Sequence, residues 1–132
     1  MATLSSLLGS TYTGNTGATG PRAGSLVGAT GGAISSITPN ATLYDTYIVS
    51  ALGASGTINA PSGTPVAGQR LVIRIKDDGT IRGLAFAGAT GAYRSVGTTL
   101  PGSTTANKTS YIGCVYNSTD NFWDVIAVAT EV

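Results

Sequence analysis

Six carboxylates, Asp45, Asp77, Asp78, Asp120, Asp124 and Glu131, and one thiol, Cys114, are the groups in this chain that could carry acid–base or covalent chemistry. There is no histidine. That removes the commonest general base and the commonest metal ligand, and with them any Ser-His-Asp or Cys-His arrangement. Paired carboxylates can hydrolyse glycosides when they flank a sugar at about 5–10 Å, so Asp120 and Asp124 are the pair to weigh. Asp120 falls in a turn-forming Asn-Ser-Thr-Asp run and Asp124 four residues on in a strand-like run, about 14 Å away along an extended chain. The spacing predicts a turn acid and a polar strand residue rather than a catalytic pair. Cys114, between Gly113 and Val115, reads as a small buried residue, because nothing nearby supplies the positive charge that a reactive thiolate needs. Asp77, Asp78 and Gly79 form an acidic turn too short to supply the ligands calcium prefers. The sequence therefore assigns no catalytic residue, no metal ligand and no cofactor.

Arg70, Arg74, Lys76 and Arg82 could form a basic stripe. No aromatic residues interleave with them as base-stacking platforms would require, so the stripe predicts a solvated or interface face and not a nucleic-acid site. Charged residues are only 10% of the chain and the net charge is +1, against a usual charged share of about 25%. Neither a basic footprint for nucleic acid nor an acidic solvating tail is present. Asn40, Asn107 and Asn117 each stand in an Asn-X-Ser/Thr acceptor pattern and are expected to be ordinary turn residues.

The elements that must position these groups begin near residue 40. Residues 1–40 are Gly, Ala, Ser and Thr with scattered Leu, Val and Ile, and show neither helical nor strand period. Such a run cannot bury enough apolar area to offset its own ordering entropy, so it is predicted to be an extended Gly-rich arm ordered only against something else. Residues 41–132 read as one β domain. YDTYIVSAL at 44–52, GTINA at 56–60, LVIRIK at 71–76, TIRGLAF at 80–86, SYIGCVYN at 110–117 and NFWDVIAVA at 121–129 are strand-like runs separated by Gly, Pro, Asn and Asp. Leu71, Ile73 and Ile75 share one face of their strand. The Asp77-Asp78-Gly79 turn predicts a hairpin from that strand into 80–86. In the closing strand Trp123, Val125, Ala127 and Ala129 are expected on one face and Phe122, Asp124, Ile126 and Val128 on the other. This pattern predicts an all-β fold, a single β-sandwich, jelly roll or small barrel.

No window approaches the 18 or so apolar residues of a membrane helix, and MATLSSLLGS has no basic residue ahead of a signal-like apolar run. No membrane association is expected. GNTGATGPRAG at 14–24 puts glycine at 14, 17 and 20 and then loses the period, which is too little for a collagen rod.

From Tyr44 onward the chain resembles a β module recurrent in structural proteins of tailed bacteriophages. TINAPSGTPVAGQRLVIRIKDDGTIRGLAF and TSYIGCVYNSTDNFWDVIAVATEV carry the resemblance. It implies a virion structural protein, assembled in the host cytoplasm and released by lysis. It also implies a homotrimer, in which Gly14, Gly17 and Gly20 would suit three chains converging on an axis. The first expectation is a capsid decoration, or cement, protein bound to the major capsid protein, with Leu4, Leu7, Leu8, Leu26 and Val27 of the arm buried against neighbouring capsid subunits. The second is a tail-fibre or receptor-binding tip attached to other tail proteins, using loops 60–68 and 97–107 and the aromatic faces of Tyr93, Tyr116 and Trp123 on host glycan, although Trp123, with Val125 and Ala127 on its face, is expected to pack in the interior or in the trimer interface. An enzyme is disfavoured on both the missing histidine and the poor acid spacing.

Overall fold

A computed structural model describes residues 34–132. The candidate arm residues Leu4, Leu7, Leu8, Leu26 and Val27 and the triplet glycines Gly14, Gly17 and Gly20 lie outside the described residues. Among the described residues there are eight strands and no helix: β1 Ser36–Ile37, β2 Thr46–Leu52, β3 Gly56–Ile58, β4 Arg70–Asp77, β5 Leu84–Phe86, β6 Tyr93–Ser95, β7 Thr109–Asn117 and β8 Phe122–Thr130.

The strands form two sheets. One is three-stranded in the order β1-β3-β5, and the other is five-stranded in the order β2-β4-β7-β8-β6. The chain alternates between them, odd strands to the first sheet and even strands to the second, through β6. Within the first sheet every pairing is parallel, with Ser36 beside Thr57 and Thr57 beside Ala85. In the second, β2 runs parallel to β4 and β6 parallel to β8. Three turns of a parallel coil result, and the β7–β8 hairpin is wedged between the second turn and the third. All-β is therefore the architecture, as expected. The parallel stacking suggests a solenoid-like arrangement rather than the expected sandwich, jelly roll or small barrel. Strand-like periodicity reports burial on a face but not the direction of the neighbouring strand, so it could not make that distinction.

The hairpin expected at Asp77-Asp78-Gly79 does not form. β4 pairs with β2 and β7, while residues 84–86 cross to the other sheet and pair with β3. Gly79 still provides a left-handed turn residue, at φ 101°, and the turn hands the chain from one sheet to the other. The closing hairpin forms as expected, with Asn121 at φ 57° in its turn.

The core lies between the sheets. Ile37 and Ile58 from one sheet meet Leu71, Ile73, Ile75, Ile112, Trp123 and Val125 from the other, all at most 1% exposed. Tyr116 tilts over Trp123 at 5.2 Å between ring centroids, and Phe86 meets Tyr93 edge-on at 5.5 Å. The β domain reaches back past residue 41: Ile37 is buried, Ile34 packs on the core, and Asn40 bridges to Ser62. At the far end, the segment after β6 covers β5, where Leu84 donates to the Gly102 carbonyl and Thr104 to that of Arg82.

One register irregularity reassigns the closing strand. Cys114 pairs with Val125 but Gly113 pairs with Ala127, which leaves Ile126 as an extra residue in a bulge. Side-chain alternation shifts by one beyond it. Trp123 and Val125 face inward as expected, but Val128 then turns toward the core while Ala127 and Ala129 are exposed, the reverse of the expected faces.

Candidate functional site

Cys114 is 2% exposed, and burial pushes its thiol up to about 12. It packs among Leu71 and Val125 as a small apolar side chain and offers no thiolate at neutral pH.

The two acids weighed as a pair do converge, although not as a catalytic dyad. Arg94, on β6 beside Asp124 of β8, receives both. Its Nε donates to Asp124 Oδ1 at 2.8 Å, and its Nη2 donates to Asp124 Oδ2 at 3.1 Å and to Asp120 Oδ2 at 3.0 Å. Asn117 Nδ2 also donates to both carboxylates, at 3.1 and 3.3 Å. The extended-chain separation fails because Asp120 sits in the hairpin turn, which folds it back over the start of β8. Arg94 also lies over the Phe122 ring, 4.9 Å from its centroid. Hydrogen bonds from Arg94 hold the Asp124 carboxyl below the ordinary carboxylate range, with burial opposing and Asn117 assisting. A glycosidase general acid needs a shift in the other direction. The cluster therefore ties β6, β8 and the turn together and is built for ionised carboxylates.

The acidic turn after β4 divides its two residues between opposite environments. Asp77 is 3% exposed. Burial alone would raise its carboxyl, but Thr104 Oγ1 donates to it at 2.6 Å, the Asn107 backbone N–H at 2.9 Å and the Gly79 N–H at 3.0 Å, and the net shift is downward. Asp78 instead points outward and pairs with Arg82 at 2.6 Å. Among the described residues, no three His, Cys, Asp or Glu side chains gather closely enough to hold a metal ion.

The basic stripe splits in the same way. Arg82 folds onto Asp78, whereas Arg70, Arg74 and Lys76 alternate with the buried face of β4 and point to the outer face of the five-stranded sheet. Across that face Arg74 lies beside Tyr111, which lies beside Ala129; Val72 lies beside Gly113, which lies beside Ala127; and Arg70 lies beside Val115, which lies beside Asp124. Tyr111 is 45% exposed and Ile126, in the bulge, 55%. The part of this outer face made by β4, β7 and β8 is thus apolar at its centre, with cations along β4 and the Arg94–Asp120–Asp124 cluster along β8 and β6; beyond β4, Ile48 of β2 lies beside Arg74 and is buried.

Of the aromatics expected to offer sugar-stacking faces, Tyr93 and Trp123 are buried, and Tyr116 is half-buried with its hydroxyl donating to Asn121 Oδ1 at 2.8 Å. Tyr111, which was not among them, stands on the open outer face of the five-stranded sheet. The alternation of β7 carried that signal, since inward Ile112 and Cys114 put Tyr111, Gly113 and Val115 outward. Loop 60–68 folds back on the start of the domain, where Ala41 donates to the Ser62 carbonyl and Thr64 to Thr42 Oγ1. Outside the three-stranded sheet lies a shallow depression of about 410 Å³ lined by small neutral residues, among them Ser55, Gly56, Thr57, Gly83 and Ala85. It presents no charged group to a ligand.

Comparison of the chain with protein-family models, with curated proteins and with solved structures yields no match in any of the three.

Proposed function

We propose that the chain is a non-catalytic structural protein of a tailed-phage virion, acting as a homotrimeric capsid decoration or cement protein. The observation that carries this reading is the five-stranded sheet, whose inner face is the core and whose outer face is apolar at the centre with no chemistry assembled on it. A sheet of this kind is suited to being covered by another protein surface. The ionisable groups that could have formed a reaction centre are instead spent on internal contacts: Asp77 on a turn, Asp78 on Arg82, Asp120 and Asp124 on Arg94. The two sheets and their solenoid-like stack supply a rigid body. The arm residues Leu4, Leu7, Leu8, Leu26 and Val27 would then attach it to the major capsid protein, each contact weak and the sum over a shell large.

A tail-fibre or receptor-binding tip is the second reading, and the direction of the stack favours it. The described chain begins at the β1 and β2 end, and at the opposite end the segment after β6 covers β5, a stack that suits attachment by its first turn. Cryo-electron microscopy of assembled particles separates the two. Hundreds of copies distributed over the head support the decoration reading, a few copies at the fibre end support the tip, and absence from particles overturns both.

A further inference from the structure

Apart from the trimer of that reading, we infer that the outer face of the five-stranded sheet is a two-fold contact between two copies of this chain. In that contact the β4 cations of one copy lie against the Arg94–Asp120–Asp124 corner of the other. Three observations lead to a second copy as the occupant. The strip formed by Val72, Tyr111, Val115, Ile126, Ala127 and Ala129 is apolar on a face where a water-covered sheet alternates to polar residues. Tyr111 and Ile126, its two large side chains, are about half exposed, so a partner gains the burial of both. The charges on either side of the strip are unequal and opposite. Among the described residues Arg70 and Arg74 take part in no salt bridge, whereas at the other side of the same face one guanidinium serves two carboxylates, and Asp120 keeps 48% of its side chain exposed. That corner carries an excess negative charge and β4 an excess of positive charge.

A partner that complements this face must carry an apolar strip with acid on one side and base on the other. The chain itself carries such a surface. Placing the β8–β6 side of one copy over the β4 side of another satisfies both charge sets at once, and opposite potentials at the rim fix the register of the contact. The side-by-side placement of Gly113 and Ala127 leaves the strip low between Tyr111 and Val115, so a projecting side chain from the neighbour can seat there.

Sedimentation velocity on the full chain at micromolar concentration, with circular dichroism of each variant as the check on folding, tests this. Tyr111→Asp and Arg74→Glu should each weaken self-association by about tenfold or more. Asp120→Lys should do the same, and Arg74→Glu combined with Asp120→Lys should associate again. An oligomer unchanged by Tyr111→Asp, or a double variant no tighter than the single ones, overturns the inference. A face-dependent dimer would sustain it while overturning the trimer proposed above, a trimer indifferent to these substitutions would do the reverse, and a wild-type monomer would overturn both.

Discussion

The two faces of the five-stranded sheet are made by the same strands, yet they treat an ionised carboxylate in opposite ways. On the inner face Asp77 ends the row Leu71, Ile73, Ile75 and is sealed from water, so three donors must hold it: Thr104, Asn107 and Gly79. On the outer face Asp124 has 18% of its side chain exposed and meets a long-stemmed partner in Arg94, itself 38% exposed. A buried charge has no water to fall back on, so each donor to Asp77 is structural; an exposed one does, so the Arg94 cluster contributes orientation more than stability. Inner-face changes should therefore unfold the domain, and outer-face changes should alter what it touches.

The largest effect expected of that contrast is at Trp123. Trp123→Ala should cost about 3–5 kcal/mol in chemical denaturation, the usual range for losing a fully buried large aromatic. Unchanged stability would place the tryptophan outside the core and dissolve the distinction between the faces.

Asp77→Ala comes next, at about 2–4 kcal/mol, because it leaves the buried Thr104 hydroxyl without its acceptor and removes the charge-assisted bonds from the Gly79 and Asn107 N–H groups. Its pH dependence has a definite sign. The folded carboxyl lies below its unfolded value of about 3.9, so the stabilisation is complete above that value and is lost as pH falls through the folded one. Wild type should therefore lose stability below about pH 4 more steeply than Asp77→Asn does. Parallel acid-denaturation curves would remove Asp77 from that role.

Arg94→Gln should shift the denaturation midpoint little, and the shift should shrink further as salt is added, since Arg94 is well exposed to solvent. A large, salt-independent loss would make the outer cluster a second core. The smallest effect is expected at Tyr93. Its hydroxyl is buried without a hydrogen-bond partner among the described residues and burial raises its pKa strongly, so Tyr93→Phe should be neutral or slightly stabilising within about 0.5 kcal/mol. A clear destabilisation would reveal a partner for that hydroxyl.

Legibility from sequence followed locality. The buried row of β4 and the β7–β8 hairpin could be read because each depends on alternation and a short turn. The parallel stack of Ser36, Thr57 and Ala85 could not, since strands of two or three residues carry almost no period and their partners are remote in the chain. Residue 41 looked like the start of the domain because composition changes near there, whereas Ile37, four residues earlier, is already a core residue. The bulge at Ile126 defeated the face assignment for a similar reason: one extra residue is invisible to a count of every second position. Asp77 and Asp78 looked alike as a turn pair. Only the distant Thr104 and Asn107 decide which of them is buried.

The wedged hairpin also orders events in time. Among the described residues β6 has β8 as its sole neighbour in the sheet, and the chain delivers β8 after β6 and the whole of β7. On a ribosome the first two turns of the coil can stack as they emerge, but the third must wait, with Tyr93 facing water, until the hairpin arrives to receive it. Assembly of the five-stranded sheet is thus a late, long-range event of the kind that folds slowly. Its outer face comes into being only at that step, so a nascent chain has no completed surface with which to associate early.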